Sequence, residues 1–363
     1  MNKHSKNNSV FPQPRSALAN ILPYVSGKGD SRHIKLSSNE NPLGTAPLVL
    51  SALQKQAEQL HRYPDGSASE LREKLAAINS FSPNMVLVGN GSDEIIRLIT
   101  QAYIDPDDCV LIPRHTFSEY KTASHIASAN IAYIDMHDGQ LSNSHLLELL
   151  SKNPKIIFLC HPNNPTGTTV NDLGELLIRI PRSTLVVIDQ AYAEFAGNSF
   201  EDAKRYIQDL PNIIVLHTFS KLYGLASLRI GAAYAQPSII ETLYKVKMPF
   251  NIGIISQLAA HEALDDTQFK NDTIQTVLTG RTRLQKACDI HGLKYYPSEA
   301  NFLCIHMKDL ASPFYSFCSE EGLYIRHLAS FGLPEYLRIS IGTASELDHL
   351  LDLLERFLKK HSM

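Results

Sequence analysis

Six short, almost uninterrupted apolar runs constrain this chain most: "MVLVG" (85–89), "CVLIP" (109–113), "KIIFLC" (155–160), "LVVID" (185–189), "NIIVLHTF" (212–219) and "IGAAYA" (230–235). Most are apolar at every position rather than at alternate ones, which is how strands covered on both faces read. Helical patterns lie between them, such as "SDEIIRLITQAY" and "NDLGELLIRI", each opening with a residue type suited to an N-cap. This alternation predicts an α/β fold with a mostly parallel central sheet sandwiched by helices. After about residue 265 the texture changes. A long helical stretch around "NDTIQTVLTGRTRLQKACDI" precedes "NFLCIHM", "LYIRHL" and "YLRISIG", then a closing helix "SELDHLLDLLERFLKK", which predicts a smaller α+β domain.

The 363 residues, 44% hydrophobic and 20% charged, suffice for a large core and more than one folding unit. A net charge of −3 with mixed signs gives no basic stripe, so nucleic acid is not an expected partner. The opening "MNKHSKNNSVFPQP" has no apolar core behind it, and no apolar run approaches the roughly 18 residues of a membrane span. A cytoplasmic protein is expected. Five scattered cysteines without a CxxC pair read as free thiols, and fifteen histidines in no HxH or HExxH arrangement predict no metal.

Polar residues gather where the predicted parallel strands end, the edge at which open α/β sheets place ligands. In "GNGSDE" (89–94) the backbone N–H groups of Ser92 and Asp93 open a helix and could hold a phosphate; a plain serine-capped turn reads the same way. "HPNNPTG" (161–167) is a rigid loop presenting Asn164, a pattern that a merely structural loop shows equally. In "LVVIDQAYAEF" (185–195) Asp189 ends a very apolar strand, where a carboxylate needs a cation or several donors unless it caps a helix. Tyr192 lies one turn further if a helix starts there. "HTFSKLYGLASLRIGAA" (217–233) offers the hydroxyls of Thr218 and Ser220 and two cations, Lys221 and Arg229. Taken together the four segments describe one ligand with a phosphate, a group partnered by Asp189 and a site for Lys221.

The sequence resembles the fold-type I pyridoxal-phosphate-dependent aminotransferases, most closely their histidinol-phosphate branch. The motifs that carry the resemblance are "LSSNENPLG" (36–44), "RYPDG" (62–66), "GNGSDE", "PNNPTG", "DQAYAEF", "FSKLYGLASLRIG", "PSEANFL" (297–303) and "LRISIGT" (337–343). It implies pyridoxal 5′-phosphate as cofactor, with Lys221 as the lysine that holds its aldehyde, Asp189 as the partner of the ring nitrogen, and Tyr192 and Asn164 on the phenolic oxygen. Gly91, Ser92, Asp93, Thr218, Ser220 and Arg229 would cradle the phosphate, and Phe117 would stack on the ring. Tyr63 would reach the cofactor of a second subunit in a homodimer, and Tyr24, Asn41, Arg326 and Arg338 would meet substrate.

The implied division is an N-terminal arm (1–39), a large domain (40–265) and a small domain (266–363). The implied reaction moves an amino group from a donor such as histidinol phosphate or glutamate, with 2-oxoglutarate as acceptor. Aromatic amino acid transamination and decarboxylation of threonine phosphate fit the same motifs, and a non-catalytic phosphate-binding module would use the glycine loops alone. His161 and Gln190 depart from the family pattern, where Asn and Glu are common.

Overall fold

The computed structural model describes residues 14–19, 21, 23, 33–56 and 60–361. In chain order its strands are β1 (Ile34–Lys35), β2 (Val86–Gly89), β3 (Cys109–Pro113), β4 (Asn130–Ile134), β5 (Met136–His137), β6 (Gln140–Leu141), β7 (Ile156–Cys160), β8 (Leu185–Asp189), β9 (Ile213–Thr218), β10 (Gly231–Ala235), β11 (Lys294–Tyr295), β12 (Phe302–His306), β13 (Leu323–Tyr324), β14 (Arg326–His327) and β15 (Tyr336–Ser340). The α-helices are α1 (Pro47–Gln56), α2 (Ser69–Ile78), α3 (Gly91–Tyr103), α4 (Ser118–Ile126), α5 (Asn143–Leu149), α6 (Leu173–Arg179), α7 (Pro237–Tyr244), α8 (Ile254–Ala263), α9 (Thr267–Ile290), α10 (Ala311–Glu320) and α11 (Ala344–His361).

The large sheet runs β2-β10-β9-β8-β7-β3-β4. Every neighbouring pair is parallel except those made by β10, which is antiparallel to β2 and β9. All six expected strands form. Val186, Ile188, Ile157, Leu159 and Val215 pack into the core on one face, and Val187, Phe158, Ile156, Ile214 and Leu216 into the core on the other. Both faces are therefore dry, and each buried aliphatic side chain contributes about 1.5–3 kcal/mol. The strand of the large sheet that the apolar runs did not signal is β4, an edge strand with Asn130 exposed, Ile131 to Tyr133 half-buried and only Ile134 buried. One covered face asks for less hydrophobicity than two.

The expected N-cap bonds are not formed. Helix α3 starts at Gly91, so Ser92 lies inside it, and the N–H of Asn90 is met by Glu94 Oε2 at 2.5 Å. Asp172 precedes α6 at φ +48° without a side-chain cap.

The smaller sheet is antiparallel, β11-β12-β15-β14. The run "LYIRHL", expected as one strand, divides at the buried Ile325: β13 pairs in parallel with β1 of the arm, whereas β14 pairs with β15. Helices α9 and α11 cover this unit through Val277, Leu284, Leu350, Leu353 and Phe357. Leu36, Tyr192 and Leu222 belong to the same apolar cluster, so the arm, the large sheet and the small sheet share one seam. The five cysteines are free. No helix among the described residues is long and apolar enough to cross a membrane.

Candidate active site

The C-terminal ends of β2, β3, β7, β8 and β9 meet at that seam, and antiparallel β10 begins there. Its reversed direction brings Arg229, two residues before Gly231, to the same edge as Ser220, just beyond β9. Alternation along β8 sends Asp189 to the same face as Val187, towards α4. There Tyr120 donates its hydroxyl to Asp189 Oδ2 at 2.7 Å, and the N–H of Ala191 donates to Oδ1 at 3.0 Å. Burial raises the Asp189 carboxyl above the ordinary carboxylate range, and these two donors work against that rise. Phe117 stands at the start of α4 with its ring edge-on to Tyr120 at 5.6 Å.

Lys221 Nζ donates to the carbonyl of Ser38 at 3.1 Å and lies 5.8 Å from the centre of the Tyr192 ring. Burial, then the nearby charges of Arg338 and Arg229, lower its amine to about 8. About a tenth of the amine is therefore neutral at pH 7, the form that attacks a carbonyl.

Two donors are freed by what holds their partners. Tyr192 Oη accepts from Asn39 Nδ2 at 3.1 Å, which leaves the hydroxyl proton to be donated; burial keeps that proton on by raising the phenol well above its usual value. Tyr192 sits just ahead of a short 3₁₀ turn (Ala193–Phe195) rather than one turn into an α-helix. Asn164 Oδ1 accepts from Arg338 Nη1 at 2.5 Å, which leaves its Nδ2 as a donor. Arg338 Nη2 also donates to the carbonyl of Ser37 at 2.7 Å.

The anion cradle is built at the start of α3. Arg229 Nη2 pairs with Asp93 Oδ2 at 2.9 Å, while Nη1 reaches Ser220 Oγ at 3.3 Å and the Ala226 carbonyl at 3.2 Å. Thr218 Oγ1 accepts from the Ser220 N–H at 3.1 Å. Gly91 has φ +76°, and a Cβ there would lie 2.8 Å from Arg229 Nη2. The first-turn N–H groups of α3 and a guanidinium thus converge on one spot, an arrangement suited to phosphate.

The arm segment 37–41 forms one wall. Asn39 was not expected at the site; its φ of +55°, its bonds to Ser340 and its bond to Tyr192 make it the joint between the two sheets. Asn41, expected to meet substrate, donates its Nδ2 to the carbonyls of Lys221 and Leu222 and to Thr273 Oγ1. Gly224 (φ +67°) permits the segment around Gly44 to approach, since a Cβ there would lie 2.0 Å from the Gly44 carbonyl oxygen. Tyr120 was also missed, although it lies in the same "HTFSEY" stretch as Phe117. Arg326 is half-buried and stands opposite Arg338 across β14 and β15. Tyr63 is exposed and stacks on Phe250 at 4.7 Å. Tyr24 lies outside the described residues.

The two departures fasten one segment. His161 Nδ1 accepts from the N–H of Val170 at 2.9 Å, so Nε2 carries the proton and donates to the Glu201 carbonyl at 3.1 Å, with the ring stacked on Phe200. Gln190, its amide oriented to suit its neighbours, donates to Asp202 Oδ1 at 2.9 Å and accepts from the Ala203 N–H at 3.1 Å.

A sequence model of the aminotransferase class I and II family matches residues 31–354. The chain belongs to that family. Similar aminotransferases include the histidinol-phosphate aminotransferase of Symbiobacterium thermophilum, 35% identical over 355 residues that cover 95% of this chain and 98% of that one. That of Halalkalibacterium halodurans is 36% identical over 346 residues, covering 92% and 94%. Among solved structures, the histidinol-phosphate aminotransferase from Sinorhizobium meliloti in complex with pyridoxal-5′-phosphate superposes with a TM-score of 0.90 at 25% identity, over 97% of this aminotransferase and 99% of that chain. The L-threonine-O-3-phosphate decarboxylase from Porphyromonas gingivalis shares the fold, with a TM-score of 0.77 at 24% identity over 90% and 99% of the two chains.

Proposed function

We propose that the protein is a pyridoxal-phosphate-dependent histidinol-phosphate aminotransferase, converting L-histidinol phosphate and 2-oxoglutarate to imidazole acetol phosphate and L-glutamate. The observation that carries this reading is the convergence on one cleft of a Lys221 amine lowered to about 8, the buried Asp189 carboxyl and the Arg229 cradle. The names and full-length similarity of the relatives support the substrate.

The donor set fits the cofactor group by group: an amine for an aldehyde, a buried carboxyl for a ring nitrogen, the Tyr192 and Asn164 donors for a phenolic oxygen, and a cationic cradle for a phosphate. When bound, pyridoxal phosphate supplies an electrophilic carbon and an electron-withdrawing ring. Asp189 holds a proton at the ring nitrogen. Lys221 Nζ would hold the aldehyde and, as a free amine, would accept a proton from the substrate Cα and return one on the product side. Tyr192 and Asn164 fix the ring by donating to one oxygen, and Phe117 supplies an aromatic face. Arg338, with Arg326 beside it, binds the anionic end of each substrate in turn: a carboxylate of glutamate, then the phosphate of histidinol phosphate.

The protein works as a homodimer in the cytoplasm. Tyr63 and Phe250, stacked on each other, both expose apolar surface, which supports a covered face there.

The test is single-turnover mixing of the loaded enzyme with histidinol phosphate, phenylalanine, tyrosine and threonine phosphate, followed by cofactor absorbance. Histidinol phosphate is expected to react with the highest kcat/KM. Preference for an aromatic amino acid, or carbon dioxide release from threonine phosphate, overturns the assignment.

A further inference from the structure

Asp189 is the one carboxyl of the cleft that the mechanism needs ionised, and it sits where burial works against ionisation. Its relative exposure is 3%, and burial is the largest influence on its acidity. Two groups donate to it among the described residues. One is a backbone N–H, of Ala191; the other is the Tyr120 hydroxyl, at 2.7 Å. Tyr120 is fully buried, its ring parallel to Phe158 at 4.9 Å and 4° and edge-on to Phe117, so the hydroxyl has one direction to point. Its own proton is secure: burial and the neighbouring carboxylate raise the phenol well above 10. The other ionisable groups that bear on Asp189 are Asp93, which opposes its ionisation, and His217, which favours it. Cys160, beside both Tyr120 and Asp189, is kept protonated by burial.

We propose that Tyr120 is a positioning residue that keeps the Asp189 carboxyl ionised, and thereby keeps the shared proton on the ring nitrogen of the bound cofactor. This rests on the reading of the cleft as a pyridoxal phosphate site. A proton shared between a buried carboxyl and a pyridine nitrogen has two resting places, one charge-separated and one neutral. A low-dielectric surrounding favours the neutral arrangement, with the proton on the carboxyl and an electron-poor ring lost. A hydrogen bond donated to the carboxylate stabilises the charge-separated arrangement alone. Tyr120 supplies that bond from a side chain whose ring is packed against Phe158 and Phe117.

The decisive variant is Tyr120→Phe, which keeps the ring that stacks on Phe158. The holoenzyme is loaded with pyridoxal phosphate carrying nitrogen-15 in the ring. At neutral pH the ring-nitrogen resonance of the variant is expected to move towards that of unprotonated pyridine. The rate of the first half-reaction should fall roughly tenfold, the scale set by one hydrogen bond to a charged group, while cofactor affinity, set largely by the Arg229 cradle, changes less. A resonance that stays where the unaltered enzyme has it makes Tyr120 a packing residue only and overturns the proposal. Should Tyr120→Phe fail to fold, 3-fluorotyrosine at position 120 keeps shape and donor while making the phenol more acidic. In that apoenzyme, carbon-13 at the Asp189 carboxyl should titrate at lower pH than with tyrosine, and an unmoved titration overturns the proposal. The apoenzyme measurement needs no cofactor: failure of the unaltered protein to take up pyridoxal phosphate would overturn the functional reading, whereas an unmoved carboxyl titration would overturn the role of Tyr120.

Discussion

Arg326 and Arg338 are register partners in the antiparallel pair β14–β15, so two guanidinium groups project from directly opposite positions on one face of the small sheet. Like charges so placed repel unless an anion lies between them. Arg338 is buried and already tied to Asn164 and Ser37, whereas Arg326 makes no hydrogen bond or ion pair among the described residues. Arg338→Ala is expected to lower kcat/KM in both half-reactions by on the order of a hundredfold, with the cofactor spectrum shifted because Asn164 loses its anchor. Arg326→Ala should weaken the phosphorylated substrate more than glutamate. Separate single-turnover measurements with each substrate decide; equal sensitivity of both substrates to Arg326→Ala would remove its role in phosphate recognition.

Lys221 should be the residue that borohydride fixes to the cofactor, read by peptide mapping of the reduced protein. Label on any other lysine contradicts the assignment. Lys221→Ala is expected to lose at least about a thousandfold in turnover while retaining cofactor in the Arg229 cradle. Because the amine is lowered to about 8, the rate at which apoenzyme captures pyridoxal phosphate should rise with pH up to that value and level off above it. A flat profile between pH 6 and 9 would count against a free amine as the nucleophile.

Replacing Asp189 with Asn keeps the shape of the side chain and removes its charge. Activity should fall by on the order of a hundredfold or more, well beyond any loss of cofactor affinity. Wild-type turnover in Asp189→Asn, measured with saturating cofactor, would leave Asp189 a structural residue.

His161 is 1% exposed and held neutral, with burial lowering its imidazole to about 4. Its folded value lies below its unfolded one, so the unfolded chain binds the extra proton first. The associated stability is complete above about pH 6.5 and is lost as pH falls towards 4. Between pH 7.5 and 5 the loss attributable to His161 is about 2 kcal/mol. Urea unfolding of the wild type and of His161→Asn at both pH values checks this: the variant should show the smaller acid loss, and equal losses would place the acid sensitivity elsewhere.

Much of the fold was legible because burial on two faces leaves a plain mark. The runs at 109–113 and 185–189 are strands β3 and β8 residue for residue, and the others are trimmed by one or two residues. Strand β4 left no such mark because an edge position demands little hydrophobicity, and "LYIRHL" hid a division because apolar and polar residues alternate through it as they would along one strand. Lys221, Asp189 and Arg229 could be singled out because charge is costly beside apolar strand ends, whatever lies across the cleft.

What pairs with those groups was a different matter. Neither the donation of Tyr120 to Asp189, 69 residues away, nor that of Asn39 to Tyr192, 153 residues away, has a local signature. Nor does the donation of Asn41 Nδ2 to the backbone carbonyls around Lys221. The sequence by itself determined which residues are too polar for their surroundings and which strand ends they occupy, since hydrophobic pattern and desolvation are properties of short stretches. Only the tertiary structure decided which lone pair each donor takes, because a hydrogen bond is fixed to a few tenths of an ångström by packing between segments far apart in the chain.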